Sequence, residues 1–272
     1  MPRQSFNGDD DDSGSDIAVP SAPRKKLPFD KFTSTPDSNL RDRFWSIMDS
    51  YAENEKSGIN LASLEADRFA LINIAISVIS SPHSSQYGIS LRFICAHTIR
   101  MLVDGGWTDA FDDFLVRCFD SGGKTFELVI SSIRSLIENE HVNYIFSERF
   151  AVMLRDRQNN MIGLTYLAKI ANPKLSSVLR KELLIFAKGD IGENQLNALH
   201  ALSVLPEDIE VKKCLIQLLS HWDTDARLSA IKFLHEFKND DEIISVCRNR
   251  LSVETDPAIC NILSKILARV KK

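Results

Sequence analysis

The sequence predicts an all-α protein built from helix pairs stacked in series. Three observations carry this. From Ser38 onward apolar residues recur at spacings of three and four, as in Phe44, Ile47, Met48 and Tyr51, and again in Leu71, Ile74 and Val78. That spacing gathers them on one helical face. No run of strict alternation is long enough for a half-buried strand. The C-terminal part repeats itself every 32 residues.

The chain opens on a different kind of segment. Five of its nine prolines, Pro2 to Pro36, fall in residues 1–37. So does the run Asp9 to Asp12, followed by Ser13-Gly14-Ser15-Asp16. So few apolar groups cannot offset the entropy of ordering, and the sequence predicts a disordered acidic tail. The basic cluster Arg24-Lys25-Lys26 follows the acidic block. It is too short to stand as a nuclear localisation signal. Ser13, with Asp16 three residues on, and Thr35, before Pro36, are candidate phosphorylation positions.

Residues 38–159 read as helical without aligning at the 32-residue period, either as diverged repeats or as a cap. Over the whole chain about a dozen helices are expected. Pro82, Pro173, Pro206 and Pro257 fall between periodic runs, because proline breaks a helix interior. Gly105-Gly106, Gly122-Gly123, Gly189 and Gly192 also fall between them, as helix ends require. Ser38, Thr108, Thr224 and Asp240 open runs and are expected N-caps.

The repeat occupies 160–272. Segments starting at Asn160, Gly192, Thr224 and Asp256 place Leu164, Leu196, Leu228 and Cys260 at the fifth position. The eighth holds Leu167, Leu199, Ile231 and Leu263, and the eleventh Ile170, Leu202, Leu234 and Ile266. Tyr166, Ala198, Ala230 and Ile262 share the seventh. In the second half Leu179, Val211 and Ile243 align, as do Leu183, Leu215 and Cys247, and Ala187, Leu219 and Leu251. One such helix pair cannot bury its own apolar face, whereas stacked neighbours can.

The stretch Thr224-Asp-Ala-Arg-Leu-Ser-Ala-Ile-Lys-Phe-Leu resembles the first helix of a HEAT repeat, and Asp256-Pro257-Ala258 resembles the usual Asp-Pro opening of the next. The likeness is good over residues 160–272. It departs at Arg227, matched by Gln195 and Ile259, so the arginine ladder of many such arrays is missing. The resemblance implies a right-handed α-solenoid that binds other macromolecules, and implies no reaction.

A search for catalytic patterns returns little. The histidines His83, His97, His141, His200, His221 and His235 form no H-x-x-x-H or H-E-x-x-H arrangement, so neither a metal nor another cofactor is expected. Gly122-Gly123-Lys124-Thr125 ends like a phosphate loop, but Cys118 stands where its first glycine is needed. No G-x-S-x-G occurs. Five cysteines with no C-x-x-C predict reduced thiols, and hence a cytoplasmic protein, or a nuclear one if eukaryotic. Cys95, Cys214, Cys247 and Cys260, and Cys118 with them, are expected in the core. Phe69–Ile79 is too short an apolar stretch to span a bilayer, and no secretory signal opens the chain. An enzymatic alternative, a base-excision glycosylase or a lyase, rests on Trp222, Asp223 and Arg227 and on Trp107 with Asp109. A net charge of −4 disfavours duplex binding.

In HEAT-like arrays the second helices usually line the inner face. There the sequence places Arg180 and Lys181, Lys212 and Lys213, and Arg248 and Arg250 as a partner-binding basic ridge. Glu182, Glu207 and Glu210 lie nearby and oppose it. Lys265, Arg269, Lys271 and Lys272 suit the C-terminal end of a helix dipole. The function expected is a non-catalytic scaffold or adaptor holding a protein partner, through an acidic or phosphorylated segment, on a concave face. The alternatives are nucleic acid on the same ridge, the enzyme above, and occupation of the ridge by the chain's own Asp9–Asp16 block.

Overall fold

The computed structural model describes residues 68–80, 91–234 and 240–270. Residues 1–37, with Ser13 and Thr35, lie outside them, as do Ser38 to Tyr51, His83, His235, Lys271 and Lys272. Thirteen helices and no strand are found among the described residues. They are α1 (Arg68–Ser80), α2 (Leu91–Asp104), α3 (Thr108–Ser121), α4 (Gly123–Leu136) and α5 (Glu140–Arg155). Next come α6 (Asn160–Ile170), α7 (Pro173–Val178), α8 (Arg180–Ala187) and α9 (Glu193–Leu202). The last are α10 (Ile209–Leu219), α11 (Thr224–Leu234), α12 (Asp241–Val253) and α13 (Pro257–Val270).

The helices form two rows. In the first, α2, α4, α6, α9, α11 and α13 each pack on the next. In the second, α1 leads to α3, then α5, then α7 with α8, then α10 and α12. The closest contacts between rows join each second-row helix to the first-row helix that follows it: α5 to α6, α8 to α9, α10 to α11, α12 to α13. These hairpins straddle the units cut at residues 160, 192, 224 and 256, since a period fixes no starting point. The rows run unbroken past residue 160, for α6 packs on α4 and α5 as well as on α9. One apolar cluster extends from Ile72 to Ile266. Tyr166 helps knit its halves, packing against Phe119, Phe126 and Phe150. Its hydroxyl donates to the Leu115 carbonyl at 2.8 Å.

The repeat columns fall largely where period 3.6 places them. Every residue of the eighth and eleventh columns is buried, as are Leu179, Val211, Ile243, Leu183, Leu215 and Cys247. Each such leucine or isoleucine contributes about 1.5–3 kcal/mol. The fifth column differs: Leu164 is buried, but Leu196, Leu228 and Cys260 are half-buried. The fourth column is buried instead, in Gly163, Gln195, Arg227 and Ile259. The reason is capping. Gln195 Nε2 donates to the Ala187 carbonyl at the end of α8, and Arg227 Nη1 donates to the His221 and Trp222 carbonyls just past α10. Those carbonyls have no helical partner of their own. Gly163 permits close approach of α5, since a Cβ there would lie 3.2 Å from Met153 Cβ.

Local chemistry sets the helix ends. Asp240 accepts from the Glu242 and Ile243 amides, as expected of an N-cap. The acid capping α11 is Asp223, one residue before Thr224. Trp107 precedes α3 and makes no side-chain cap, with Thr108 inside the helix. Gly122 and Gly123, with φ of 61° and 48°, turn α3 directly into α4, so the Gly-Gly-Lys-Thr stretch is a helix junction. A second helix expected as continuous around Leu179 is broken there, between α7 and α8.

Candidate functional site

The second row carries the residues predicted to meet a partner. Arg180 Nη1 reaches Asp208 Oδ2 at 2.6 Å, and its Nη2 lies 3.6 Å from Glu210. One unit later Lys212 Nζ sits 2.6 Å from Asp240 and 2.7 Å from Glu242. Each cation thus bridges forward to the helix that follows it in the row. Asp208 and Asp240 are also the N-caps of α10 and α12. In each, Oδ1 accepts the backbone amides and Oδ2 accepts the cation.

The electrostatics follow this geometry. Hydrogen bonds to Asp240 and Glu242 hold the Lys212 ammonium above its ordinary range, and the bond to Asp208 does the same for Arg180. Lys212 and two amides hold Asp240 low despite some burial. Burial works to raise Asp208, but Arg180 and the two amides outweigh it and lower it.

Of the six predicted cations, then, Arg180 and Lys212 are engaged between helices. Arg250 pairs with Glu254 at 2.7 Å. Lys181, Lys213 and Arg248 are exposed on the same row. Arg180 and Lys212 thus each face two carboxylates, whereas Lys181, Lys213 and Arg248 keep their charge on the exposed side of the row. The signal was available in the sequence: Asp208 and Asp240, like Glu210 and Glu242, repeat at the same 32-residue period as Arg180 and Lys212.

The row also presents apolar side chains that sequence reasoning missed. Tyr144 on α5 is 63% exposed, Val178 at the end of α7 64%, Ile185 on α8 71% and Ile209 on α10 63%. Tyr144 and Val178 share a cleft of about 260 Å³ between α5 and α7. Its floor is Ile137, Asn143 and Ser147, all buried. Asn143 Nδ2 donates to the Ile137 carbonyl, and Ser147 Oγ donates to the Asn143 carbonyl, so the floor is internally satisfied. Glu138, Glu140, Glu148 and Lys174 form the rim. Asn139 and Asn172 cap α5 and α7 and so fix where those helices begin.

The residues weighed for an enzyme have other duties. Asp223 Oδ1 accepts two amides of α11. Arg227 is buried and bonded to Glu254 as well as to the two carbonyls it caps. The Trp222 carbonyl accepts from Arg227 at 2.8 Å, while its side chain is exposed, 83%, with the ring beside His221. Trp107 is buried. Cys95, Cys118, Cys214 and Cys247 are buried, and desolvation lifts all four thiols, Cys95 to about 12 and Cys247 to about 11. Cys260 is half-buried. Among the described residues no group of three or more His, Cys, Asp or Glu could hold a metal ion. No described helix is long and apolar enough to cross a membrane. No protein-family model matches the chain, and no curated protein is significantly similar to it.

Proposed function

We propose that this protein is a non-catalytic scaffold, a right-handed α-solenoid of HEAT-like helix pairs that holds a segment of a protein partner along its second helix row. One observation carries the reading: Tyr144, Val178, Ile185 and Ile209, on successive elements of that row, are each more than half exposed. Large exposed apolar side chains on successive elements of one row, two of them lining a shared cleft, favour an interaction surface over a purely solvated one. A preformed helical surface also loses little ordering entropy on binding. The rung carboxylates weigh against nucleic acid on this row, and the structural duties of Asp223 and Arg227 weigh against the enzyme.

The test is site-specific photocrosslinking of the full chain in cells. A benzophenone side chain at position 144 or 185 is expected to capture the same protein. One at position 261 or 265, exposed on α13 of the first row, is expected to capture none. Equal capture at all four positions, or none at 144 and 185, would overturn the reading.

A further inference from the structure

The α5–α7 cleft has a chemistry that specifies its occupant, on the premise that the second row is the binding face. Glu140, Tyr144 and Glu148 follow one another at four-residue steps, so they lie on one stripe of α5 with the tyrosine midway between two carboxylates. Val178 faces the same space from α7. Lys174 Nζ contacts Glu138 Oε2 at 3.0 Å, which occupies the rim's cation with one acid. Among the described residues no cation pairs with Glu140 or Glu148.

At about 260 Å³ the cleft is smaller than the pockets that enclose drug-sized molecules, which start at about 300 Å³. It suits one or two side chains. The eight residue steps from Glu140 to Glu148 span about 12 Å of helix. Four residues of extended peptide span about 13 Å. Two cations placed two residues either side of a central residue would therefore match the two carboxylates.

We propose that this cleft receives an extended segment of a partner protein carrying one large apolar side chain flanked, two residues away on each side, by lysine or arginine. The apolar side chain enters between Tyr144 and Val178. The flanking cations meet Glu140 and Glu148, and either can lie against the Tyr144 ring. Charge complementarity selects this partner over an acidic or phosphorylated one, which the two carboxylates repel.

The experiment measures fluorescence anisotropy of three labelled peptides with the full chain at low salt. The first has the pattern Lys-Ser-Leu-Ser-Lys, the second replaces both lysines by glutamate, and the third replaces leucine by alanine. Binding of the first is expected to be at least ten-fold tighter than that of either other. Tyr144→Ala is expected to weaken it at least five-fold. Glu140→Lys with Glu148→Lys, two exposed positions whose folding is checked by circular dichroism, is expected to invert the preference toward the glutamate peptide. Equal binding of all three, or a preference unchanged in the charge-reversed variant, would overturn the proposal. So would carbodiimide cross-links within one chain from Lys25 or Lys26 to Glu140 or Glu148, which would make the chain's own Arg24–Phe29 segment the occupant. If photocrosslinks at positions 144 and 185 persist while the peptide preference is absent, only the occupant is wrong. If both fail, the scaffold reading fails with it.

Discussion

Arg227 on α11 meets Glu254, the residue that follows α12, through two parallel hydrogen bonds: Nε to Oε2 at 2.9 Å and Nη2 to Oε1 at 3.0 Å. The arginine side chain is 7% exposed and the glutamate side chain fully enclosed. Arg250 Nε adds a bond to the same carboxylate, and the Thr255 and Asp256 amides complete its shell. Through Arg227 Nη1 the contact extends to the carbonyls after α10. Three helices are thus tied at one point.

Removing one partner leaves an enclosed charge without compensation. Arg227→Ala is expected to destabilise the fold by about 3–5 kcal/mol, and Glu254→Ala by a similar amount. The double variant is expected to cost less than the sum, because the second change removes the charge stranded by the first. Urea denaturation of the four proteins measures all three quantities.

The same carboxylate sets an acid limit. Burial alone would raise Glu254, but bonds from Arg227, Asp256, Arg250 and Thr255 outweigh it and hold the folded group at about 2, against 4.5 as its ordinary value. The unfolded chain therefore binds this proton first. The contribution is complete above about pH 4.5 and is lost as pH falls toward about 2. Glu254→Gln is expected to flatten stability against pH within that window, as read by tryptophan fluorescence.

Tyr166 joins the aromatic cluster to the α3 backbone. Its phenol is pushed well above the ordinary range, chiefly by burial. Tyr166→Phe leaves the Leu115 carbonyl without that donor and is expected to cost about 1–3 kcal/mol. The fall in thermal midpoint checks it.

The thiols are expected to divide four to one. Burial keeps Cys95, Cys118, Cys214 and Cys247 protonated and shielded. Cys260 alone is partly exposed. With an aromatic disulfide reagent at pH 8, one thiol per chain should react quickly and the rest only on unfolding. Cys260→Ser should abolish the fast phase.

Charge reversal should sort the second-row cations by duty. Lys212→Glu places a third carboxylate beside Asp240 and Glu242 and is expected to lower the melting temperature. Lys213→Glu, one residue on and exposed, should leave it nearly unchanged. Added salt should narrow the gap between them. Differential scanning calorimetry at two salt concentrations distinguishes the outcomes.

Much of the architecture could be read from leucine spacing. The columns through Leu167 and Ile170 are buried in every unit because a 3.6-residue period leaves one face to hide. The stripe is nonetheless turned one residue from the fifth position toward the fourth. There Gln195 and Arg227 are drawn inward by unpaired carbonyls that no apolar pattern reports. The break at Leu179 was hidden too, since its neighbours keep helical spacing while Ser176 Oγ is tied to the Ala201 carbonyl. The candidate face was harder still. Lys and Arg doublets are conspicuous, but their acids stand 28 and 30 residues away, a distance that becomes contact only when one second-row helix lies against the next. The cleft joins Tyr144 to Val178, 34 positions apart and in different units.

The division of labour within Asp208 and Asp240 has a wider consequence. One oxygen of each holds the first turn of its own helix while the other grips the preceding neighbour. Local fraying of the helix start and loosening of the polar link to the preceding helix are therefore coupled through one side chain. A disturbance that reaches either carboxylate touches two successive modules at once, at a joint that the shared apolar cluster also holds.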